Sequence, residues 1–169
     1  MTFQIGEKVV YPNQGVGTIE NIRAWALGNQ FEKCYLLRMV YGSMTVTVPF
    51  SKVANIGLRP ITKSGEICRI LTYLANGHCH SSSDWKVRFK VNSEKMLSGS
   101  LLQAAEVLKS LLELQKDKPL SFREKKMLDR SRHMLVAELA IARGVGEAEA
   151  TALLQKYLDK ANLTIPPIL

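Results

Sequence analysis

His78, Cys79 and His80 stand side by side in "GHCH", the densest set of metal-ligand side chains in the sequence. Zinc needs four ligands in tetrahedral reach, normally supplied as separated pairs. Adjacent side chains point apart, and the thiol of Cys68 lies about three helical turns upstream. The segment reads as a polar loop between helices, and no metal is expected. His133 stands alone in a helical stretch. The glycines of "NQGVG" and "ARGVG" are not followed by Gly-Lys-Ser/Thr and complete no dinucleotide fingerprint. A tight turn and a helix cap account for them. Carboxylates occur singly, mostly beside Lys or Arg, as on solvated helix faces. Neither catalysis nor a cofactor is expected.

The other chemistry in the sequence is aromatic and basic. "SSSDWKVRFK" (81–90) places Trp85 after a serine run, with Lys86, Arg88 and Lys90 around Phe89. A helix over 84–97, N-capped by Asp84 or Ser83, puts Trp85 in its first turn and Phe89 one turn later on the same side. Lys86 and Lys90 then share a neighbouring stripe, while Arg88 projects towards the far side. Arg123, Lys126 and Arg130 form a second stripe at i, i+3 and i+7. Such stripes either follow a phosphate backbone or are ordinary solvated faces. Trp85 either packs against a neighbouring helix or serves as a stacking platform or wedge for an unstacked base.

The elements that must position these residues change period along the chain. "MTVTVPF" (44–50) alternates strictly, with Met44, Val46, Val48 and Phe50 on one face and Thr45, Thr47 and Pro49 on the other. "CYLLRMV" (34–40) precedes it across a "YGS" turn, which predicts a hairpin. With "KVVYP" and "NQGVGTIENI", this predicts a small bent barrel of the SH3 or Tudor type. After "GLRP" the period becomes helical. "EICRILTYLANG" ends at Gly77 as a cap, "SLLQAAEVLKSLLELQ" is amphipathic, and "SFREKKMLDRSRHMLVAELAIARG" opens with Ser121 and Glu124 in capping-box spacing. A last helix runs from about Glu147 to Lys160. The expected fold is α+β in two domains: a Tudor/SH3-like small β barrel over 1–62 and an all-α bundle over 63–169.

Composition fits a folded protein, at 46% hydrophobic and 22% charged residues. No apolar run is long enough to span a bilayer, and three cysteines without framework spacing fit a reducing compartment. A cytoplasmic location and no membrane partner are expected. The net charge of +8 favours encounter with polyanions.

Several stretches together resemble the CarD/CdnL family of bacterial RNA polymerase-binding transcription regulators. They are "IGEKVVYPNQGVGTIENI", "MTVTVPF", "IGLRP", "DWKVRFKVNSEKMLSGS" and "LSFREKKMLDRSRHMLVAELAIA", and they cover nearly the whole chain in order. A similar amino-terminal module occurs in the transcription-repair coupling factor, but no ATPase motor follows here. The resemblance implies a Tudor-like domain that docks on the RNA polymerase β subunit, partly through a strand edge. "MTVTVPF" is the strand expected to do so, through Thr45, Val46, Thr47, Val48 and Pro49. Relatives commonly carry basic residues where this chain has Trp25 and Thr47, so docking here is expected to be less electrostatic, with Trp25 as an apolar anchor. The resemblance also implies that the helical domain reaches promoter DNA at the upstream edge of the bubble. There Trp85 would wedge into the minor groove while Lys86, Arg88 and Lys90 hold the backbone. Separately from the resemblance, a monomer is expected. Two other classes stay open: a polymerase-independent, nucleoid-associated DNA-binding protein, and a Tudor-type adaptor whose helices contact only protein.

Overall fold

The computed structural model describes residues 2–167. The chain divides into two compact units, with the break between Ile61 and Thr62.

The first unit is an antiparallel sheet of five strands: β1 (Lys8–Tyr11), β2 (Gly15–Leu27), β3 (Gln30–Met39), β4 (Thr45–Pro49) and β5 (Arg59–Pro60). Their order is β4-β3-β2-β1-β5. A 3-10 turn (Phe50–Lys52) and the one-turn helix α1 (Val53–Ile56) link β4 to β5. From Thr45 on, the alternation of "MTVTVPF" takes effect as expected: Val48 is buried and Val46 half-buried, while Thr45 and Thr47 are exposed; Met44, expected on the inward face, precedes the strand and is exposed. One face packs Phe3, Val9, Ile19, Tyr35, Leu37 and Val48 into a core. Tyr35 organises it, stacking on Phe50 at 4.3 Å and accepting a hydrogen bond from the Phe3 N–H at its hydroxyl. No ladder joins β4 to β5 among the described residues, so the outer edge of β4 is open. The β2–β3 hairpin is longer than the hydrophobic pattern predicts. A register shift between Ile19 and Asn21 adds a bulge, and the ribbon then continues past the core to the Gly28–Asn29 turn.

Among the described residues the second unit holds five helices: α2 (Ser64–Asn76), α3 (Trp85–Leu97), α4 (Leu101–Asp117), α5 (Phe122–Arg143) and α6 (Glu147–Asp159). Their apolar stripes meet in one core around Leu71, Leu74, Leu108, Leu111, Leu135 and Leu154. Gly144 ends α5 with φ 66°, a left-handed cap that suits glycine. Gly77 also ends its helix, but for another reason. Its backbone is extended, and a Cβ there would lie 2.2 Å from the Tyr73 ring. Space, not φ, demands glycine at this cap. Lys109 of α4 finishes the same helix end, donating to the carbonyls of Tyr73 at 3.0 Å and Gly77 at 2.7 Å. No helix among the described residues is long and apolar enough to cross a membrane.

Candidate nucleic-acid interface

Asp84 fixes the start of α3. Its carboxylate accepts from the Lys86 N–H at 3.0 Å, which makes Asp84, of the two candidates Asp84 and Ser83, the N-cap. Upstream, the Ser82 hydroxyl accepts from the Asp84 N–H. Trp85 is therefore the first helical residue, and it does not turn into the core: 57% of it is exposed. The ammonium of Lys86 lies 5.8 Å from the centre of its ring, within cation–π range. Lys90 is exposed one turn further on.

Arg88 corrects the sequence reading. It is only 4% exposed, so it is not available to a phosphate backbone. Its Nε donates to Glu124 Oε2 at 2.9 Å, its Nη2 to Glu124 Oε1 at 3.2 Å, and its Nη1 to the Ser82 carbonyl at 3.1 Å. One guanidinium thus fastens α3, the serine segment before it and the first turn of α5. Burial alone would raise the Glu124 carboxyl. The Arg88 bonds and charge, with the Ser121 hydroxyl and N–H, outweigh that and hold it below its ordinary value. The capping box is thus built from both sides. The Ser121 hydroxyl accepts from the Glu124 N–H at 3.2 Å, and the Glu124 carboxylate bonds back to Ser121 while also holding Arg88.

The second basic stripe stands on α5 as its spacing predicts, with Arg123, Lys126 and Arg130 all exposed. The structure brings its first member against α3. Arg123 lies over the Phe89 ring of α3 at 5.5 Å, so α3 and α5 are bridged by an aromatic–cation contact beside the buried ion pair. Sequence reasoning missed Phe122, which heads this stripe and is 67% exposed. Its exposure was hidden because an aromatic at a helix start is as easily read as a core residue.

The "GHCH" segment holds no metal geometry. Among the described residues, no group of three or more His, Cys, Asp or Glu is placed to hold an ion. The Cys79 thiol instead lies 3.1 Å from the Tyr73 hydroxyl, and burial raises both groups above their ordinary values. Cys68 lies elsewhere, 3.5 Å from Nη2 of Arg143.

In the first unit, Met44 accepts from the Met39 N–H across the start of β4. With the register Leu37↔Val46 and Tyr35↔Val48, alternation makes Val46 and Val48 the residues that bond inward to β3. Thr45 and Thr47 direct their N–H and C=O groups outward. Val46 and Val48 are thus corrected as contact residues, because both side chains and backbone groups face the sheet's own core and ladder. Pro49 occupies an outward position, where its missing N–H costs the ladder nothing. Trp25, 46% exposed, pairs with Glu32 on the same face as Thr47, as the Asn21↔Leu36↔Thr47 and Arg23↔Cys34↔Pro49 rows establish.

Against this geometry, comparison with known proteins is decisive. Residues 3–62 match the model of the CarD-like/TRCF RID domain, and residues 69–155 match that of the CarD C-terminal domain. The chain belongs to the CarD family. A relative is "Putative transcription factor YdeB" of Bacillus subtilis (strain 168), 35% identical over 147 residues, covering 87% of this chain and 96% of that protein. This CarD-family chain is accordingly one of a family of transcription regulators. The two family matches fall on the sheet unit and the helical unit in turn.

Proposed function

We propose that this protein binds the RNA polymerase β subunit through residues 1–62 and stabilises the promoter open complex through residues 63–169. Trp85 wedges at the upstream fork of the bubble, and Lys86, Lys90, Arg123, Lys126 and Arg130 hold the phosphates. The observation that carries this reading is the Trp85 ring, exposed at a capped helix start among cations. A large apolar ring held in solvent is available for stacking on an unpaired base, which a closed duplex does not present. Such a wedge binds the melted state better than the closed one and shifts the equilibrium by that difference. Phosphate contacts add affinity without sequence information, so targeting comes from the polymerase. The outward groups of Thr45 and Thr47, with Trp25 on the same face, support strand-edge docking to the β subunit.

The test is the lifetime of open complexes formed by purified polymerase, followed by a fluorescent bubble reporter. Wild-type protein should lengthen it. Stacking is worth about 1–3 kcal/mol, so Trp85→Ala should shorten the lifetime by roughly 5- to 150-fold relative to wild type. An unchanged lifetime with wild-type protein bound to polymerase would rule the wedge out. Strong, salt-sensitive binding to free duplex without polymerase would favour a nucleoid-associated protein instead.

A further inference from the structure

We infer that Phe122 is a second stacking platform for an unpaired base at the same DNA fork, acting beside Trp85. The inference rests on the reading above and extends it to a residue on another helix. Phe122 and Trp85 occupy equivalent places. Each is the first residue of its helix, each follows a side-chain N-cap (Ser121 and Asp84), and each is largely exposed, at 67% and 57%. Each also has a cation over its ring, Lys126 at 4.6 Å and Lys86 at 5.8 Å. The two helix starts that carry the rings are fastened together by the Arg88–Glu124 pair and the Arg123–Phe89 contact.

The character of the ligand follows from the neighbours. Phenylalanine has no polar atom, and holding its ring in water is unfavourable unless something covers it. If that cover were a protein groove, further apolar residues would be expected one turn along the exposed face. The positions one turn on are Lys125 and Lys126 instead, with Arg130 beyond. The only carboxylate in this part of α5 besides buried Glu124 is Asp129, which is paired with Arg132. A flat apolar ring beside the exposed Lys125 and Lys126 matches a nucleic acid, whose bases offer π faces and whose backbone offers charge. Paired bases keep those faces hidden, so the ligand is unpaired DNA.

The experiment uses the full-length protein with polymerase on a promoter carrying 2-aminopurine at successive upstream-fork positions. Wild type, Trp85→Ala, Phe122→Ala and Phe122→Leu are compared. Phe122→Ala should shorten the open-complex lifetime by about fivefold or more, and should relieve 2-aminopurine quenching at a different position from that relieved by Trp85→Ala. Phe122→Leu, which keeps apolar bulk without a π face, should behave like the alanine variant. A leucine variant equal to wild type overturns stacking. Phe122→Ala equal to wild type, while Trp85→Ala fails, overturns this inference and leaves the Trp85 wedge standing. Loss of both effects overturns the wedge itself, and with it the second platform. Weaker binding of Phe122→Ala to polymerase without DNA would make the contact a protein one and likewise overturn it.

Discussion

Arg88 is the residue that sequence patterning misplaces, and the reason is physical. Its phase on α3 pointed it away from the Lys86 and Lys90 stripe, but its partner Glu124 lies 36 residues further on, and no local pattern reports a pairing at that separation. The pair carries a specific energetic expectation. Breaking a buried ion pair by removing one partner costs about 3–5 kcal/mol, because it strands the other charge, whereas replacing both with apolar residues is often far milder. Arg88→Met and Glu124→Leu should each strongly lower the urea midpoint, and the double variant should recover much of the loss. Glu124 also makes stability depend on pH. Its carboxyl is held below its ordinary value of 4.5, so its contribution is fully present above that value and disappears as pH falls through the lower folded value. Unfolding free energy measured from pH 7 downward should therefore fall below about pH 4.5, and Glu124→Gln should remove that part of the slope. By contrast, the cap at Asp84 and the start of α3 at Trp85 were legible, because an N-cap is a local bond between near neighbours.

At the scale of elements, periods were readable and extents were not. The alternation of β4 and the caps of α5 followed from spacing alone. The β2–β3 ribbon ran further than expected because past Ile22 it has no core to face and hence no apolar alternation to announce it. The Gly28–Asn29 turn was the available sign. Reading β4 as a set of five contacts failed for a related reason: a strand's period of two commits alternate residues to opposite duties. Thr47 tests the resulting division of labour. Thr47→Pro removes an N–H that points outward from the edge and leaves the inward bonds of Val46 and Val48 in place. A hydrogen bond contributes about 0.5–1.5 kcal/mol, so affinity for a β-subunit fragment should fall by roughly 2- to 13-fold with little change in thermal stability. Thr45→Pro should act alike. Val46→Pro breaks the inner ladder and should destabilise the fold instead. Equal affinity for Thr47→Pro and wild type would remove strand-edge docking from the reading.

For the whole molecule, the proposed function, in which one unit engages polymerase and the other melted DNA, imposes a thermodynamic constraint stronger than either contact alone. If the protein raises the equilibrium constant for promoter opening by a given factor, it must bind the open complex more tightly than the closed complex by that same factor. Trp85 is assigned only to the melted state, so Trp85→Ala should reduce both quantities equally and leave affinity for polymerase without DNA unchanged. Binding to polymerase alone, to closed complexes trapped at low temperature and to open complexes can be measured by fluorescence anisotropy of labelled protein, with opening read from the bubble reporter. The variant should then compete with wild type for free polymerase on equal terms and, in excess, lower the opening equilibrium towards its value without protein, keeping only the share that Phe122 supplies. A variant that loses affinity for polymerase alone would move Trp85 from the DNA contact to the docking contact. Equal losses on closed and open complexes would mean that Trp85 holds duplex rather than the fork, because a contact made equally in both states shifts no equilibrium.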